Sequence, residues 1–447
     1  MAAIANMLWA YISGGSSFMF SLSHNKNFHF LSLLIITSSA ILFSCSSDTG
    51  NDPSPTPTPT PEKSELVLQF TDERSIPIDN ASVLVDGDAS PLGNTDVKGE
   101  IIIESPSGKT LLVTDNSGAN RFAPTTFVKP DWFSDGEVIE LSNLASAAGQ
   151  VDVTLNGVLS DQQAMSIAFN GAGLGGTTAV NATTPITNYS IAPRSENFDL
   201  VVTPSSIDTL PQDTFFAIAN DLYAPSNTTL PVQLNLAYGG KQFIVNVTNG
   251  FPNSIMLAGY RLYNQPYDQH LLAVRTIQYS DQDTISNQSI TVPANNTNAV
   301  EYSALIGVSI GDGMRITRKL FNSKTELSNS DTSQNITLRN FGISNVTPVN
   351  GAVNVNRHPL VQWQLQDTSV SFVTVVVFVG STVNKIWQAH LNPQETEVRF
   401  PDSLPALEPN YTYQMQVWAT KLFKSDGQTT LVEITRTATV NFETGNQ

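Results

Sequence analysis

Apolar side chains recur at every second position in many short runs along this 447-residue chain, and the runs predict β-strands rather than helices. Clear examples lie at residues 66–70, 151–155 and 243–247. Gly, Pro, Asn and Asp residues interrupt the runs about every ten residues, and no segment after residue 65 keeps a helical period. The pattern therefore predicts an all-β chain built from tandem Ig-like or prealbumin-like β-sandwich modules.

The first 64 residues follow a different pattern, with one apolar run at 31–43 that ends just before the sole cysteine, Cys45. The run is shorter than the ~20 residues that span a bilayer. Its length, with Lys26 before it, is typical of a signal-peptide core. We therefore expect residues 1–44 to be a signal peptide, and translation from Met19 would give it the usual length.

The residues that close this run, Leu42-Phe43-Ser44-Cys45, resemble the lipobox of bacterial lipoproteins, although Phe43 replaces the usual small or aliphatic residue. The resemblance implies a diacylglyceryl group on the Cys45 thiol, cleavage after Ser44, acylation of the new amino terminus and a place in the cell envelope. Ser46, where an Asp would favour the inner membrane, favours the outer membrane of a Gram-negative host. The alternative is that Cys45 is a buried residue at the end of a core strand.

Residues 45–64 are polar and carry proline at every second position from Pro53 to Pro61. Alternating proline favours polyproline II at ~3.1 Å per residue, so the stretch predicts a semi-rigid linker of about 30 Å. We expect it to separate the lipid anchor from the first module.

The amino-acid composition limits the classes of partner and cofactor that we expect this chain to bind. Charged residues are only 14% of the chain, the formal net charge is −17, and no run is rich in Lys or Arg. Nucleic acid is therefore not an expected partner, because such binding relies on phosphate neutralisation. A single cysteine excludes an intrachain disulfide and a thiolate metal cluster. We expect no cofactor and no structural metal.

The first predicted module covers residues 65–147 and contains IPIDNASVLV at 76–85 and TDVKG at 95–99. These motifs resemble the carboxypeptidase-regulatory-like family, with Ser75 where Gly is usual. The resemblance implies a seven-stranded, non-catalytic prealbumin-like sandwich. Strand alternation directs Ala81, Val83 and Val85 inward, and Asp96 with Gly99 forms the turn into the next strand.

The last predicted module covers residues 345–447 and resembles fibronectin type III domains. The resemblance rests on HPLVQW at 358–363 and LEPNYTYQMQV at 407–417. It implies that Trp363 is the core tryptophan and that Tyr413 is the corner tyrosine, whose hydroxyl bonds nearby backbone. This fold carries many roles and does not define one.

Residues 148–344 match no family that we recognise, and we read them as two β-sandwiches, 148–238 and 239–344. The seam falls at AYGG, residues 237–240, and a single large two-sheet domain is the alternative. Strand-like runs lie near 151–155, 165–169, 198–203, 214–218, 230–236, 242–248, 255–263, 271–279 and 302–310.

Candidate catalytic and metal-binding groups are weak in this chain. GAGLGG at 171–176 fits a dinucleotide-binding motif, but β-prone residues follow it where a helix is needed, which favours a loop. The mature chain has three histidines, His270, His358 and His390, and their spacing is not that of metal ligands. We expect them to occupy ordinary surface or edge positions. Two acidic pairs favour loop turns over calcium sites: Asp86 with Asp88, and Asp281 with Asp283.

The most promising binding surface lies on the last module. Alternation places Gln414, Gln416 and Trp418 opposite the core, beside the doubly apolar strand 372–379, with Trp387 on the next strand. We expect Trp418 and Trp387 to form an exposed apolar patch. It either packs against the preceding module or binds a glycan or a protein partner.

The sequence thus predicts a non-enzymatic, membrane-anchored surface or periplasmic lipoprotein that displays interaction modules for adhesion or binding. One rival is a carbohydrate-binding lipoprotein that delivers polysaccharide to a partner enzyme. The other is a hydrolase with a site in residues 148–344, where His270 would lie beside a carboxylate and a Ser or Thr.

Overall fold

The structure is a computed structural model that describes residues 65–446 with gaps. The gaps are 72–76, 86–90, 117–121, 134–136, 142–148, 157–163, 171–176, 182–185, 192–197, 207, 224–227, 249–254, 265–269, 280–283, 294–299, 311–312, 322–323, 380–384 and 426–427. The predicted signal peptide, Cys45, the predicted linker at 45–64, the 171–176 run and both acidic pairs lie outside the described residues.

The all-β prediction is confirmed. The described residues form 31 strands, a 3-10 turn at Pro130–Trp132 and one short α-helix, α1 (Lys324–Asn329). In the parts of the chain that the structure describes, no helix has the length and hydropathy needed to cross a membrane.

Strands β1 to β7 form a first sandwich of two sheets, β4-β1-β7 and β3-β2-β5-β6. The strands are Glu65–Thr71, Ala81–Val85, Pro91–Asn94, Glu100–Glu104, Thr110–Asp115, Thr125–Val128 and Glu137–Glu140. Leu68 and Phe70 from one sheet meet Val83 and Phe127 from the other, and all four side chains are fully buried. As predicted, Ala81 and Val83 point into this core, and Val85 packs at its edge.

The predicted turn at Asp96 and Gly99 is also present. Asp96 Oδ1 accepts hydrogen bonds from the backbone N–H groups of Lys98 and Glu100, at 2.8 and 2.9 Å. Gly99 has a φ of +74°, and a Cβ there would collide with the carbonyl oxygen of Phe70. Glycine is therefore required where this turn crosses the first strand.

Strands β8 to β14 form a second sandwich, with sheets β11-β8-β14 and β10-β9-β12-β13. They are Gly149–Asn156, Ala164–Asn170, Thr177–Asn181, Ile186–Ile191, Phe198–Pro204, Phe215–Leu222 and Thr229–Asn235. A two-residue strand, β15 (Ala237–Tyr238), then pairs with β13. Val153, Leu234, Leu200 and Phe215 are among the residues that fill the core between the two sheets.

Strands β16 to β22 form a third sandwich, with sheets β19-β16-β22 and β18-β17-β20-β21. They are Gly240–Thr248, Ile255–Asn264, His270–Tyr279, Thr284–Pro293, Val300–Ile310, Gly313–Phe321 and Ser333–Thr337. Phe243 of β16 stacks on Phe321 of β21, with ring centroids 5.5 Å apart, so aromatic rings join the two sheets.

The first three sandwiches share one strand order, which the sequence did not reveal. In each, one sheet holds the fourth, first and seventh strands, and the other holds the third, second, fifth and sixth. The first and seventh strands are parallel in all three, whereas their other pairings are antiparallel. The predicted boundaries at 147, 238 and 344 remain a prediction, because all described residues belong to one compact unit.

Strands β23 to β31 form the last sandwich. One sheet is β23-β25-β28, and the other is β27-β26-β29, where β29 also pairs with β30 and with β31, and β24 pairs with β31. They are Ile343–Thr347, Ala352–Val355, Leu360–Leu365, Phe372–Val379, Lys385–Leu391, Glu397–Arg399, Thr412–Ser425, Gln428–Thr437 and Val440–Thr444. Trp363 is 2% exposed in the core, and Tyr413 Oη accepts a hydrogen bond from the Glu408 N–H at 2.9 Å. Both side chains lie where the resemblance implied, and this sandwich has an Ig-like β-sandwich fold.

The sixth strand of each of the first three sandwiches has an additional partner. In the first sandwich β6 pairs in parallel with β27, and in the third β21 pairs with β30, so the last sandwich closes both edges. In the second, β15 pairs with β13. Because an unpaired edge strand invites pairing with other chains, these contacts protect three edges and fix the last sandwich against two others.

Candidate functional site

Trp387, one of the two predicted patch residues, lies inside the protein. It is fully buried in the core with Trp363, and its Nε1–H donates a hydrogen bond to Thr126 Oγ1 at 2.9 Å. The prediction that Trp387 is exposed is therefore wrong. Its strand, β27, is covered along its outer edge by β6 of the first sandwich, and its side chain shares the inward face with Val377 of β26.

The strand 372–379 is apolar on both faces, as the sequence shows, but its outward residues are not exposed. Val376 and Phe378 are 0% and 6% exposed. Phe372, on the same face, stacks on Trp132 of the first sandwich at a centroid distance of 5.7 Å. The expectation that this strand exposes apolar side chains is thus wrong. Phe372 contacts the first sandwich rather than the third sandwich, which precedes the last one in the chain.

Trp418 lies on the predicted face. Met415, Val417 and Ala419 of β29 are buried in the core, and Trp418 between them points to the opposite face, which we call the outer face. Its side chain is partly exposed. The guanidinium of Arg436, on β30, lies 3.9 Å from the indole centroid in a cation–π contact.

Two hydrogen-bonded polar chains continue along the outer face. Trp418 Nε1–H donates to Gln416 Oε1 at 2.9 Å, and Gln416 Nε2 donates to Thr439 Oγ1 at 2.9 Å. The second chain begins two residues earlier on β29, where Gln414 Nε2 donates to Asn441 Oδ1 at 3.1 Å.

This second chain ends at Asn350, whose Oδ1 accepts from Asn441 Nδ2 at 3.2 Å and from the Asn441 backbone N–H at 2.9 Å. We name the whole set the Trp418 surface. Its members are Trp418, Gln416, Thr439, Gln414, Asn441 and Asn350.

Strands β29 and β30 form a hairpin under the Trp418 surface, and residues before β23 contact the opposite face of this hairpin. Thr435 Oγ1 on β30 accepts from the Phe341 N–H at 3.1 Å and donates to the Arg339 carbonyl at 3.2 Å. Burial raises the pKa of the nearby Glu433 carboxyl, and the Arg339 guanidinium, 3.4 Å away, opposes this shift. The segment before β23 is therefore fixed against β30, which steadies Trp418 and Arg436.

The two histidines whose side chains are described, His358 and His390, have different neighbours and do not form a joint site. His358 Nδ1 lies 3.0 Å from the Pro401 carbonyl oxygen and is partly exposed. His390, on β27, is likewise partly exposed, which agrees with the predicted surface or edge position, although its Nε2 atom is buried. His270 lies on β18, but its side chain is outside the description, and the hydrolase hypothesis for 148–344 stays untested. Within the described residues no group of three His, Cys, Asp or Glu side chains could hold a metal ion.

The sequence could indicate half of the Trp418 surface. Alternation along β29 is enough to put Gln414, Gln416 and Trp418 on one face. Alternation along β29 does not indicate that Arg436 and Asn441 lie beside these residues, because the register of β30 and β31 against β29 places them there.

Comparisons with known proteins add little. No protein-family model matches the chain, and no curated protein matches it. Among solved structures, three fibronectin domains of chicken CNTN1 match 64% of this chain and 91% of theirs, at 11% identity and a TM-score of 0.17. A leucine-rich repeat protein from Bacteroides thetaiotaomicron matches 43% of this chain and 26% of its own, at 10% identity and a TM-score of 0.14. At these TM-scores neither likeness carries a functional argument.

Proposed function

We propose that this chain is a lipid-anchored protein of the cell envelope that displays a non-catalytic β-sandwich assembly as an interaction module. The observation that carries the proposal is the Trp418 surface, a partly exposed aromatic residue and an amide row on a face whose strands are fixed on both sides. The lipobox resemblance at Cys45 supplies the anchor, and residues 45–64 supply the spacer. An outer-membrane position follows for a Gram-negative host.

The assembly supports display because it is held together by sheet hydrogen bonds rather than by linkers alone. The last sandwich pairs with β6 and with β21, so the Trp418 surface is fixed relative to both the first and the third sandwich. A fixed surface loses less entropy when it binds a partner than one on a mobile module does.

We also propose that the first sandwich is a carboxypeptidase-regulatory-like module, without catalytic activity. Its seven described strands and the turn at Asp96 and Gly99 support the assignment. The shared strand order extends the same proposal to the second and third sandwiches. These modules would act as structural supports that place the last sandwich away from the membrane.

The anchor is tested by Cys45→Ser, expressed in a Gram-negative bacterium beside the wild type. The wild type should partition into the detergent phase, and mass spectrometry of its amino terminus should show an acylated Cys45. Cys45→Ser should remain in the aqueous phase or keep its leader. Ser44→Gly keeps a small residue before the cysteine and should stay lipidated. An unmodified Cys45 in the wild type would reject the lipoprotein proposal.

A further inference from the structure

The Trp418 surface has the chemistry of a sugar-binding face, and we propose that it binds an uncharged glycan chain. The inference rests on the proposed function of this face as a binding surface, and it names the class of ligand. It is built from four features: the held indole, the amide row, the absence of charge along the row, and the closed strand edges around it.

The first feature is the held indole. A sugar ring offers an apolar C–H face, which packs against aromatic rings that are apolar in body and polar at one end. Trp418 is partly exposed, and two contacts fix its ring: the Arg436 guanidinium over one face and Gln416 at Nε1. An indole already fixed in place needs little reordering when a ring packs against it.

The second feature is the row of amides beside the indole. Each primary amide has two N–H donors and an oxygen that accepts two hydrogen bonds. The bonds along the row use part of this capacity at Gln416, Gln414 and Asn441, and all three side chains are partly exposed. Hydroxyl groups both donate and accept, so they match such a row. Residues 414–418 span about 14 Å of strand, which suits an oligosaccharide better than a single sugar.

The third feature is the absence of charge. All six residues of the Trp418 surface are uncharged, although the whole chain has a net charge of −17. Arg436 is 6% exposed, so its charge lies beneath the indole rather than on the surface. Glu443, paired with Thr412 beyond the end of the row, is on the same face and would repel an anionic glycan. Anion recognition normally uses exposed Arg or Lys forks, so an uncharged glycan fits better.

The fourth feature is the closed edge, which argues against a peptide ligand. Extended peptides commonly bind by adding a strand to a free sheet edge. The strand under the Trp418 surface, β29, is paired on one side with β26 and on the other with β30 and β31. Only side chains are offered to a ligand here, and their hydrogen-bonding capacity is that of amides.

The test uses the intact lipidated protein in an uncharged detergent. Its migration is measured in native gels that contain dextran, mannan, xyloglucan, pectate or no polysaccharide. We expect retardation by at least one of the three neutral polysaccharides and none by anionic pectate. Trp418→Ala and Gln416→Ala should each weaken that retardation, with the dissociation constant rising about tenfold or more for Trp418→Ala.

Tyr223→Ala is the matched control, because Tyr223 is 47% exposed on the second sandwich, away from the Trp418 surface. It should leave the retardation unchanged. Melting temperatures identify a variant that loses binding by unfolding, and Gln416→Ala, which removes a partly exposed amide, keeps the test valid if Trp418→Ala is unstable.

Several results would overturn the glycan assignment: no retardation in all three neutral gels, retardation by pectate alone, or retardation that both variants retain. Binding to an array of extended peptides that Trp418→Ala abolishes would also overturn it, while leaving an interaction surface in place. The acylation of Cys45 is measured by mass on the same preparation. A failure of the anchor is therefore distinguished from a failure of glycan binding.

Discussion

The indole of Trp387 donates its Nε1–H to Thr126 Oγ1 at 2.9 Å, although 261 positions separate the two residues in the chain. This buried hydrogen bond lies where β27 of the last sandwich and β6 of the first run in parallel. Next to it, Gln388 Nε2 donates to Thr125 Oγ1 at 3.0 Å. Side chains as well as backbone thus join the first and last sandwiches, and Trp387 stabilises that junction rather than binding a ligand.

The first prediction concerns this hydrogen bond. Trp387→Phe and Thr126→Val each remove one partner and should each destabilise the protein. The double variant should lose less unfolding free energy than the sum of the two single variants, with a coupling of about 1 kcal/mol. The reason is that the first change already breaks the hydrogen bond, so the second change cannot break it again. Urea unfolding of the four proteins, followed by tryptophan fluorescence and circular dichroism, measures the coupling. Strict additivity would show that the bond does not contribute to stability.

The second prediction concerns Gly313, where the third sandwich meets the last. Gly313 has a φ of +130°, pairs with Thr437, and a Cβ there would collide with the carbonyl oxygen of Arg436. Gly313→Ala should separate β21 from β30 and speed hydrogen exchange of the amides at 431–437.

Gly108→Ala is the control for this change. Gly108 also has a positive φ, +73°, but nothing lies within 4 Å of a Cβ placed there. Gly108→Ala therefore reports the cost of a positive φ without a steric collision, which is about 1 kcal/mol. Only Gly313→Ala should loosen 431–437, and equal exchange in both variants would contradict a close approach at Gly313.

Alternating apolar patterns predicted much of the fold because they report which face of a strand is buried. Every strand-like run named in 148–344 overlaps a strand. The named runs missed Ile186–Ile191, Gly313–Phe321 and Ser333–Thr337. They also missed Thr177–Asn181 and Thr284–Pro293, where Thr, Ser and Asn hide the alternation. Their positions are set by pairing with β9 and β16, which a local pattern does not contain.

The error at Trp387 and the success at Trp418 have one physical cause. Pleating determines which face of a strand a residue occupies, and it placed Trp418 opposite the core. Whether a face or an edge is covered depends on residues far away in the chain. The pairing of β27 with β6 and the contact of Phe372 with Trp132 are examples. Local sequence does not report such contacts, so the exposure of Trp387 was predicted wrongly.

The third prediction concerns the tyrosine corner of the last sandwich. Tyr413→Phe removes the hydroxyl that accepts the Glu408 N–H and leaves that backbone group without this partner. We expect a loss of about 1 kcal/mol in unfolding free energy, which is the usual contribution of one hydrogen bond. Tyr411→Phe is the control, because its ring is 43% exposed and should contribute little. Thermal unfolding compares the two, and equal melting temperatures would argue against the corner.

The fourth prediction concerns His390, whose partly exposed side chain has its Nε2 atom buried at the junction between the first and last sandwiches. Its ring stacks on Phe127 with centroids 5.4 Å apart, and its Nδ1 lies 3.1 Å from Thr374 Oγ1. Its buried Nε2 has no hydrogen-bond partner among the described residues. Burial, and to a lesser extent the charge of Lys385, lowers the pKa of His390 from 6.5 to about 4.

This shift makes the protein less stable in acid. Between pH 6.5 and about 4 the unfolded chain holds a proton on His390 that the folded chain does not. Stability therefore falls as the pH drops through that window, by about 3 kcal/mol from this group, and is unaffected by it at higher pH. His390→Phe should flatten the pH dependence of the unfolding free energy between pH 7 and 4, since the carboxylates titrate alike in both proteins. His358→Gln changes a histidine of the same sandwich that lies outside the junction with the first sandwich, and it is the control, which should keep the wild-type slope. If His390→Phe kept that slope too, the His390 ring would have to be protonated in the folded state, and the junction would not exclude its charge.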